Sequence, residues 1–269
     1  MMNSPIQYTL TGQGNTVVLL HGFAEDSNIW KHQKEFLQKR YQLLIPDVRG
    51  SGKSSAMQLP LSIEQLADDL KIILDKEAIT SCTLIGHSMG GYITLAFAEK
   101  YPTYINGFGL IHSTSFADTD EKKVARNKSI DFITQNTAYE FIKTTIPNLF
   151  ADAFKQTHPQ KVDELIEDGK QFSKEVLIAY TKAMIERPDR TSVLKDTTVP
   201  VFYFIGAADK AVSPIDALEQ AAIPKICKVH VEQGIAHMGM WEATETLNKT
   251  LVEFLMLVHQ IPQENALSI

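Results

Sequence analysis

Six short apolar runs, separated by stretches with helical spacing, narrow the fold of this chain more than anything else in its sequence. The runs are VVLLH (Val17 to His21), QLLIP (Gln42 to Pro46), TLIG (Thr83 to Gly86), GFGLIH (Gly107 to His112), VFYFIG (Val201 to Gly206) and KVHVE (Lys228 to Glu232). Runs this short and this uniformly apolar read as buried strands. Between them, Asn28 to Arg40 and Ile63 to Glu77 carry helical spacing, the second with Ile63, Leu66, Leu70, Ile73 and Leu74 as its apolar positions. Met89 to Lys100 follows the third run directly, and Trp241 to Val258 closes the pattern. Alternation of this kind predicts an α/β fold, a mostly parallel central sheet with helices on both faces.

The alternation stops after His112. From Thr119 to about Arg190 only helical patterns occur, divided by Pro147, Pro159 and Pro188 into three or four helices. A block of about 70 residues is too long for a loop in a compact domain. The reading is an inserted helical cap, residues 114–190, in an α/β core made of residues 1–113 and 191–269. The alternative is a set of extra helices packed flat on one sheet face.

The most informative stretch is TLIGHSMGGYITLAFAEKYP, in which the third run ends and a helix begins around Ser88. This is G-x-S-x-G in the strand, turn and helix context that gives the pattern meaning, a nucleophile elbow. A strained turn lifts the serine hydroxyl clear of the backbone at the helix N-terminus. There the Met89 amide and the helix dipole face any developing oxyanion. Serine at its ordinary pKa is a poor nucleophile, so a base and an orienting acid are required.

The chain order for such a sheet is serine, acid, histidine. His112 precedes every candidate acid, His158 lies in the helical block, His230 sits mid-strand and His259 ends the last helix. His237, in the loop QGIAHMGMWE after the last strand, falls at the C-terminal edge of the sheet, where ligands bind in open parallel sheets. It is the candidate general base. Asp209 follows the strand VFYFIG and is the candidate orienting acid; Asp196 precedes that strand, and Asp216 reads as a first-turn helix residue. The backbone N–H of Phe23, after the first central strand, is the expected second donor of the oxyanion hole. His21 reads as a structural histidine bonded to loop backbone.

DVRGSGKSS ends like a phosphate-binding loop, but Asp47 stands where that loop needs its first glycine, so nucleotide binding is rejected. Met89, Met238 and Met240 are read as either pocket wall or packing. Trp30 and Trp241 read as core or pocket wall, and Glu242 as a helix-start residue.

HGF at 21–23, PDVRGSGKS at 46–54, GHSMGG at 86–91, GAADKAVSP at 206–214 and AHMGMWE at 236–242 resemble the α/β-hydrolase superfamily, over nearly the whole span from Ile6 to Val258. The helical block and the stretch after it look like the capped branch of small esterases, enol-lactonases and carbon–carbon bond hydrolases. The resemblance implies a catalytic triad of Ser88, Asp209 and His237, with Phe23 and Met89 supplying the oxyanion amides. Serine at 88 departs from the aspartate of haloalkane dehalogenases and epoxide hydrolases, and GHSMGG differs from the elbow of proline iminopeptidases.

The expected activity is therefore that of a serine esterase, cleaving a carboxylic ester of a small or medium apolar acyl group without metal or cofactor. The alternatives are a carbon–carbon bond hydrolase or lyase with the same residues, or a ligand-sensing protein on the same scaffold. With 26 Lys and Arg against 32 Asp and Glu, the net charge of −6 argues against nucleic acid or an anionic membrane as partner. The same balance favours an apolar, uncharged substrate. Two cysteines, no CxxC spacing and no visible signal peptide predict buried thiols in a cytoplasmic protein.

Overall fold

The computed structural model of the chain describes residues 6–54 and 60–260. Its strands are β1 (Tyr8–Thr11), β2 (Thr16–Leu20), β3 (Gln42–Pro46), β4 (Cys82–His87), β5 (Ile105–Ile111), β6 (Val201–Gly206) and β7 (Cys227–Glu232). They form one sheet in the order β1-β3-β2-β4-β5-β6-β7. Every neighbouring pair is parallel except β1 with β3. The fold is thus the α/β class read from the runs. All residues of β2, β4 and β6 are buried, as strands covered on both faces must be. The strand β1 was not foreseen, because YTLT is four residues long and mostly half-buried at the sheet edge, so it carries no apolar run.

The early helices are α1 (Lys31–Leu37), α2 (Ile63–Lys76) and α3 (Met89–Lys100). The expected helix from Asn28 to Arg40 is divided: a 3-10 turn at Ser27–Trp30, capped by the Asp26 carboxylate, precedes α1. In α2 all five residues of the predicted stripe are buried, and Ser62 and Gln65 cap its start reciprocally. Along β5 the pleat sends alternate residues to opposite faces. A side chain at Gly107 would meet Val258 and Phe254, whereas Leu110 lies against Gly91 of α3. The sheet is covered on both sides.

Between β5 and the next strand the chain forms α4 (Asp120–Gln135), α5 (Ala138–Thr145), α6 (Asp152–Thr157), α7 (Pro159–Asp168), α8 (Lys174–Glu186) and α9 (Thr191–Asp196). The stretch divided by prolines holds more helices than the three or four expected. Pro147 and Pro159 each stand at a helix start, and Pro188 follows the end of α8. The break between α4 and α5 has no proline; Thr137 and Glu140 make it with a capping box. After β6 come α10 (Pro214–Ala221), α11 (Gly239–Glu242) and α12 (Thr244–Gln260). The predicted closing helix is therefore interrupted at Ala243.

Cys82 is buried, and burial pushes its thiol up to about 12. Cys227, expected to be buried as well, is half-buried because β7 is an edge strand. Among the described residues no helix is long and apolar enough to cross a membrane.

Candidate active site

Ser88 sits between the last residue of β4 and the first of α3 with φ 50° and ψ −115°. A residue with a Cβ rarely adopts this backbone, and holding it there costs about 1–3 kcal/mol. The surroundings impose it. The Ser88 amide bonds the Ile111 carbonyl at 3.0 Å, extending the β4–β5 ladder past its end. The Ser88 carbonyl accepts from Gly91 N–H at 2.9 Å and from the Ser113 hydroxyl at 2.8 Å. The turn closes only because Gly86 and Gly90 lack side chains. A Cβ on Gly86 would lie 2.3 Å from the Gly90 carbonyl oxygen, and one on Gly90 would lie 2.3 Å from that of Leu20. The Ser88 side chain makes no capping bond to the helix it precedes.

His237 lies in the loop between β7 and α11, and Nδ1 of its ring is 2.8 Å from Oδ2 of Asp209. Both side chains are buried. Asp209, just past β6, also accepts at Oδ1 from the amides of Ala211 (2.8 Å) and Val212 (3.0 Å). Burial works to raise the Asp209 carboxyl, but His237 and His112 outweigh it and hold the group far below the usual carboxylate range. The carboxylate fixes the proton of His237 on Nδ1 and leaves Nε2 as the basic nitrogen.

His112 is the third member of this cluster. Its Nε2 accepts from Gly239 N–H at 3.2 Å, so Nδ1 carries the proton and donates to Oδ2 of Asp209, also at 3.2 Å. Burial lowers its pKa to about 4, with Asp209 opposing the shift. His112, Asp209 and His237 each offer a potential ligand atom within 4.8 Å of one another. The hydrogen bonds argue against a metal there: two N–H groups converge on one carboxylate oxygen, so both nitrogens donate where ligands need lone pairs.

A second cluster lies beside the elbow. Oε2 of Glu25 accepts from Gly22 N–H at 2.7 Å and lies 2.9 Å from Nδ1 of His87. Glu242 binds the His237 loop from the other side, accepting from the amides of Ala236 and Met238 at 3.1 Å and of Ala151 at 2.8 Å. The His237 amide itself donates to the Leu149 carbonyl at 2.9 Å. Sequence reasoning passed over His112 and Glu25 and read Glu242 only as a helix-start residue. Glu25 had one available signal: a carboxylate three residues after Gly22 is within reach of that amide.

A cavity of about 450 Å³ adjoins Ser88 and His237. Phe23 and Tyr92 contribute to its wall from the α/β layer, and Arg126, Phe141 and Met184 from α4, α5 and α8. The Phe23 ring meets Phe141 and Tyr180 edge to face at 6.2 and 6.3 Å. Among the described residues neither the Phe23 nor the Met89 amide has a protein acceptor. Of the five residues singled out beforehand, Ser88, Phe23 and His237 line this cavity, Asp209 lies behind His237, and Met89 follows Ser88. A cavity of about 350 Å³ near Pro102 and Ser192 touches none of them.

The residues set aside lie elsewhere. His158 directly precedes α7 without a side-chain bond to it, His230 is in β7, His259 is near the end of α12, and Asp216 is in the first turn of α10. Met89, Met238, Met240, Trp30 and Trp241 are core. His21 accepts the Val48 amide at 2.9 Å and bonds the Gly22 carbonyl at 2.9 Å, a backbone-bracing role. The Asp47 carboxylate fills the turn of DVRGSGKSS, accepting from Lys53 N–H at 2.8 Å and Ser27 N–H at 2.9 Å.

The family model of the alpha/beta hydrolase fold matches residues 15–244. The chain belongs to this family, and the class its relatives support is that of a hydrolase. An esterase from Thermogutta terrifontis, described as thermophilic and malate-bound, is 27% identical, with a TM-score of 0.90 over 94% of each chain. A 3-oxoadipate enol-lactonase of Acinetobacter baylyi is 26% identical over 213 residues, 78% of each chain. An uncharacterized protein of Mycobacterium tuberculosis is 27% identical over 104 residues; that match covers 39% of this chain and 30% of the mycobacterial one.

Proposed function

We propose that the chain is a serine hydrolase that cleaves carboxylic esters of small or medium acyl groups. The observation that carries this reading is the 2.8 Å bond from His237 to Asp209 behind a cavity that Ser88 also lines, with Ser88 held in a strained backbone. Ser88 attacks the ester carbonyl while Nε2 of His237 takes its proton. The amides of Phe23 and Met89 receive the oxyanion, and Asp209 stabilises the imidazolium. His237 then protonates the leaving alcohol, and water, activated by the same histidine, releases the acid from the acyl-enzyme.

Residues 114–190 act as a cap in this proposal, on a core of residues 1–113 and 191–269. Support comes from α4, α5 and α8, which supply much of the cavity wall, and from Leu149 and Ala151, which hydrogen-bond into the His237 loop and its Glu242 brace. The acyl group lies along Phe23, Phe141, Leu149 and Met184.

The test is turnover of short-chain 4-nitrophenyl esters with Ser88→Ala as control, together with mapping of a fluorophosphonate adduct. Hydrolysis that stops in the variant and a single adduct on Ser88 are expected. Turnover surviving in Ser88→Ala refutes the nucleophile. Turnover of dienones alone makes the protein a carbon–carbon bond hydrolase, and tight binding without multiple turnover makes it a sensor.

A further inference from the structure

We propose that the cavity beside Ser88 contains a carboxylate-binding subsite built from Lys122, Arg126 and Lys210, so that the preferred acyl group ends in a carboxylate. This deepens the esterase reading and rests on Ser88 as the nucleophile. All three cations line the cavity, in a chain whose net charge is −6. The site is thus opposite in sign to the molecule around it.

The protein leaves these charges unbalanced. The half-buried Lys122 has its Nζ 3.0 Å from the Ala211 carbonyl, a neutral acceptor. Among the described residues neither Lys122 nor Lys210 has a carboxylate within 4.0 Å, in contrast to the ion pairs made by lysines elsewhere. Arg126 bonds Asp118, but that carboxylate is shared with Arg187 at 2.9 Å. The acid on the cavity wall, Glu25, is already held by His87 and Gly22. Arg126 and Arg187 therefore share one carboxylate, and Asp152, the acid that Lys210 influences, is already paired with Lys155.

Tyr92 reports the resulting field. Burial works to raise its hydroxyl, yet Arg187, Arg126 and Lys122 outweigh burial and hold it below the ordinary phenol value. Cations that stabilise negative charge at this hydroxyl also stabilise a small anion placed beside it. Tyr92 lies one turn along α3 from Ser88, a rise of about 6 Å. A short hydrocarbon chain spans that distance, and Phe23, Phe141 and Met184 give it apolar walls. A carboxylate on such a chain fits both halves of the cavity.

The experiment compares 4-nitrophenyl hydrogen adipate with its neutral counterpart, 4-nitrophenyl methyl adipate. A charge-assisted contact predicts a kcat/KM ratio of about ten or more in favour of the charged ester. The ratio falls towards one in Lys122→Gln/Lys210→Gln and shrinks with added salt, since Lys210 is exposed. Lys210→Glu, at that exposed position, lowers the ratio further. Equal kcat/KM values in the unmodified protein, or a ratio that survives the double variant, overturn the subsite. If neither ester turns over, the esterase reading fails, and calorimetry on Ser88→Ala decides the subsite separately. Adipate binding that adipamide does not match, and that the double variant loses, upholds it; no difference between the two ligands refutes it.

Discussion

Nε2 of His87 lies 3.0 Å from the backbone carbonyl oxygen of His237. On the other side of the same ring, Nδ1 faces the Glu25 carboxylate at 2.9 Å. Both partners are acceptors, so both nitrogens must carry protons and the buried ring is an imidazolium. The electrostatics agree: burial works to lower His87, but Glu25 and the bond to His237 outweigh it and hold its pKa above the ordinary value. Glu25 is lowered correspondingly, burial opposing and His87 prevailing. One buried ion pair therefore fastens the Gly22–Phe23 turn, the strand entering the elbow and the His237 loop to each other.

Glu25→Gln breaks that pair and leaves a buried cation without its counter-charge. Such losses cost about 3 kcal/mol or more, so the melting temperature should fall. Because Glu25 positions groups and touches no reacting atom in the proposed mechanism, kcat should drop more than KM rises. A variant with unchanged melting temperature and unchanged kcat would falsify the positioning role.

The strain at Ser88 gives a prediction of opposite sign for stability. Glycine tolerates a φ of 50° without the Cβ penalty that serine meets. Ser88→Gly should abolish ester hydrolysis and raise the unfolding free energy by about 1 kcal/mol, the strain relief less the added entropy of the unfolded chain. Denaturant titration reads this directly. A less stable glycine variant would mean that the elbow is not strained.

Much of this arrangement is legible in the sequence, and the rest is hidden for identifiable reasons. The runs ending at Pro46 and Gly206 are strands with the expected ends, because a buried parallel strand is apolar throughout. The glycines around Ser88 mark a turn that only the strand–helix context explains. Glu25 and His112 are different. Their partners lie 62 and 97 residues away, and no local pattern encodes such contacts. The rule of chain order sets His112 aside as the base, and nothing in it assigns the residue to the acid. Net charge is silent on local charge for a similar reason. A sum of −6 describes the whole chain and says nothing of three cations gathered at one cavity.

Asp209→Asn isolates tautomer control. The asparagine side chain fits the same space, so the fold should survive. Its amide, however, offers His237 and His112 either a donor or a weaker, neutral acceptor where Oδ2 now takes both N–H groups. The proton of His237 is no longer fixed on Nδ1, and the rate should fall by up to ~10⁴ with little change in circular dichroism. A loss of tenfold or less would assign the orienting role elsewhere.

His112 supplies a pH signature of its own. In the unfolded chain this histidine takes up its proton near its ordinary value of 6.5, whereas burial in the folded protein delays protonation until about 4. Below pH 6.5 the unfolded state therefore binds more protons than the native one, and acidification lowers stability through this group from 6.5 down to about 4. At about 1.4 kcal/mol per pH unit, the loss from this group reaches about 3 kcal/mol. His112→Asn removes the titrating group while its side-chain amide still donates to Asp209. The variant starts less stable, because the Gly239 amide loses its acceptor, but its stability should decline less steeply across the same interval. Urea unfolding midpoints at pH 7, 5.5 and 4.5 make the comparison, and parallel declines for the two proteins would show that His112 is protonated as readily in the folded state as in the unfolded one.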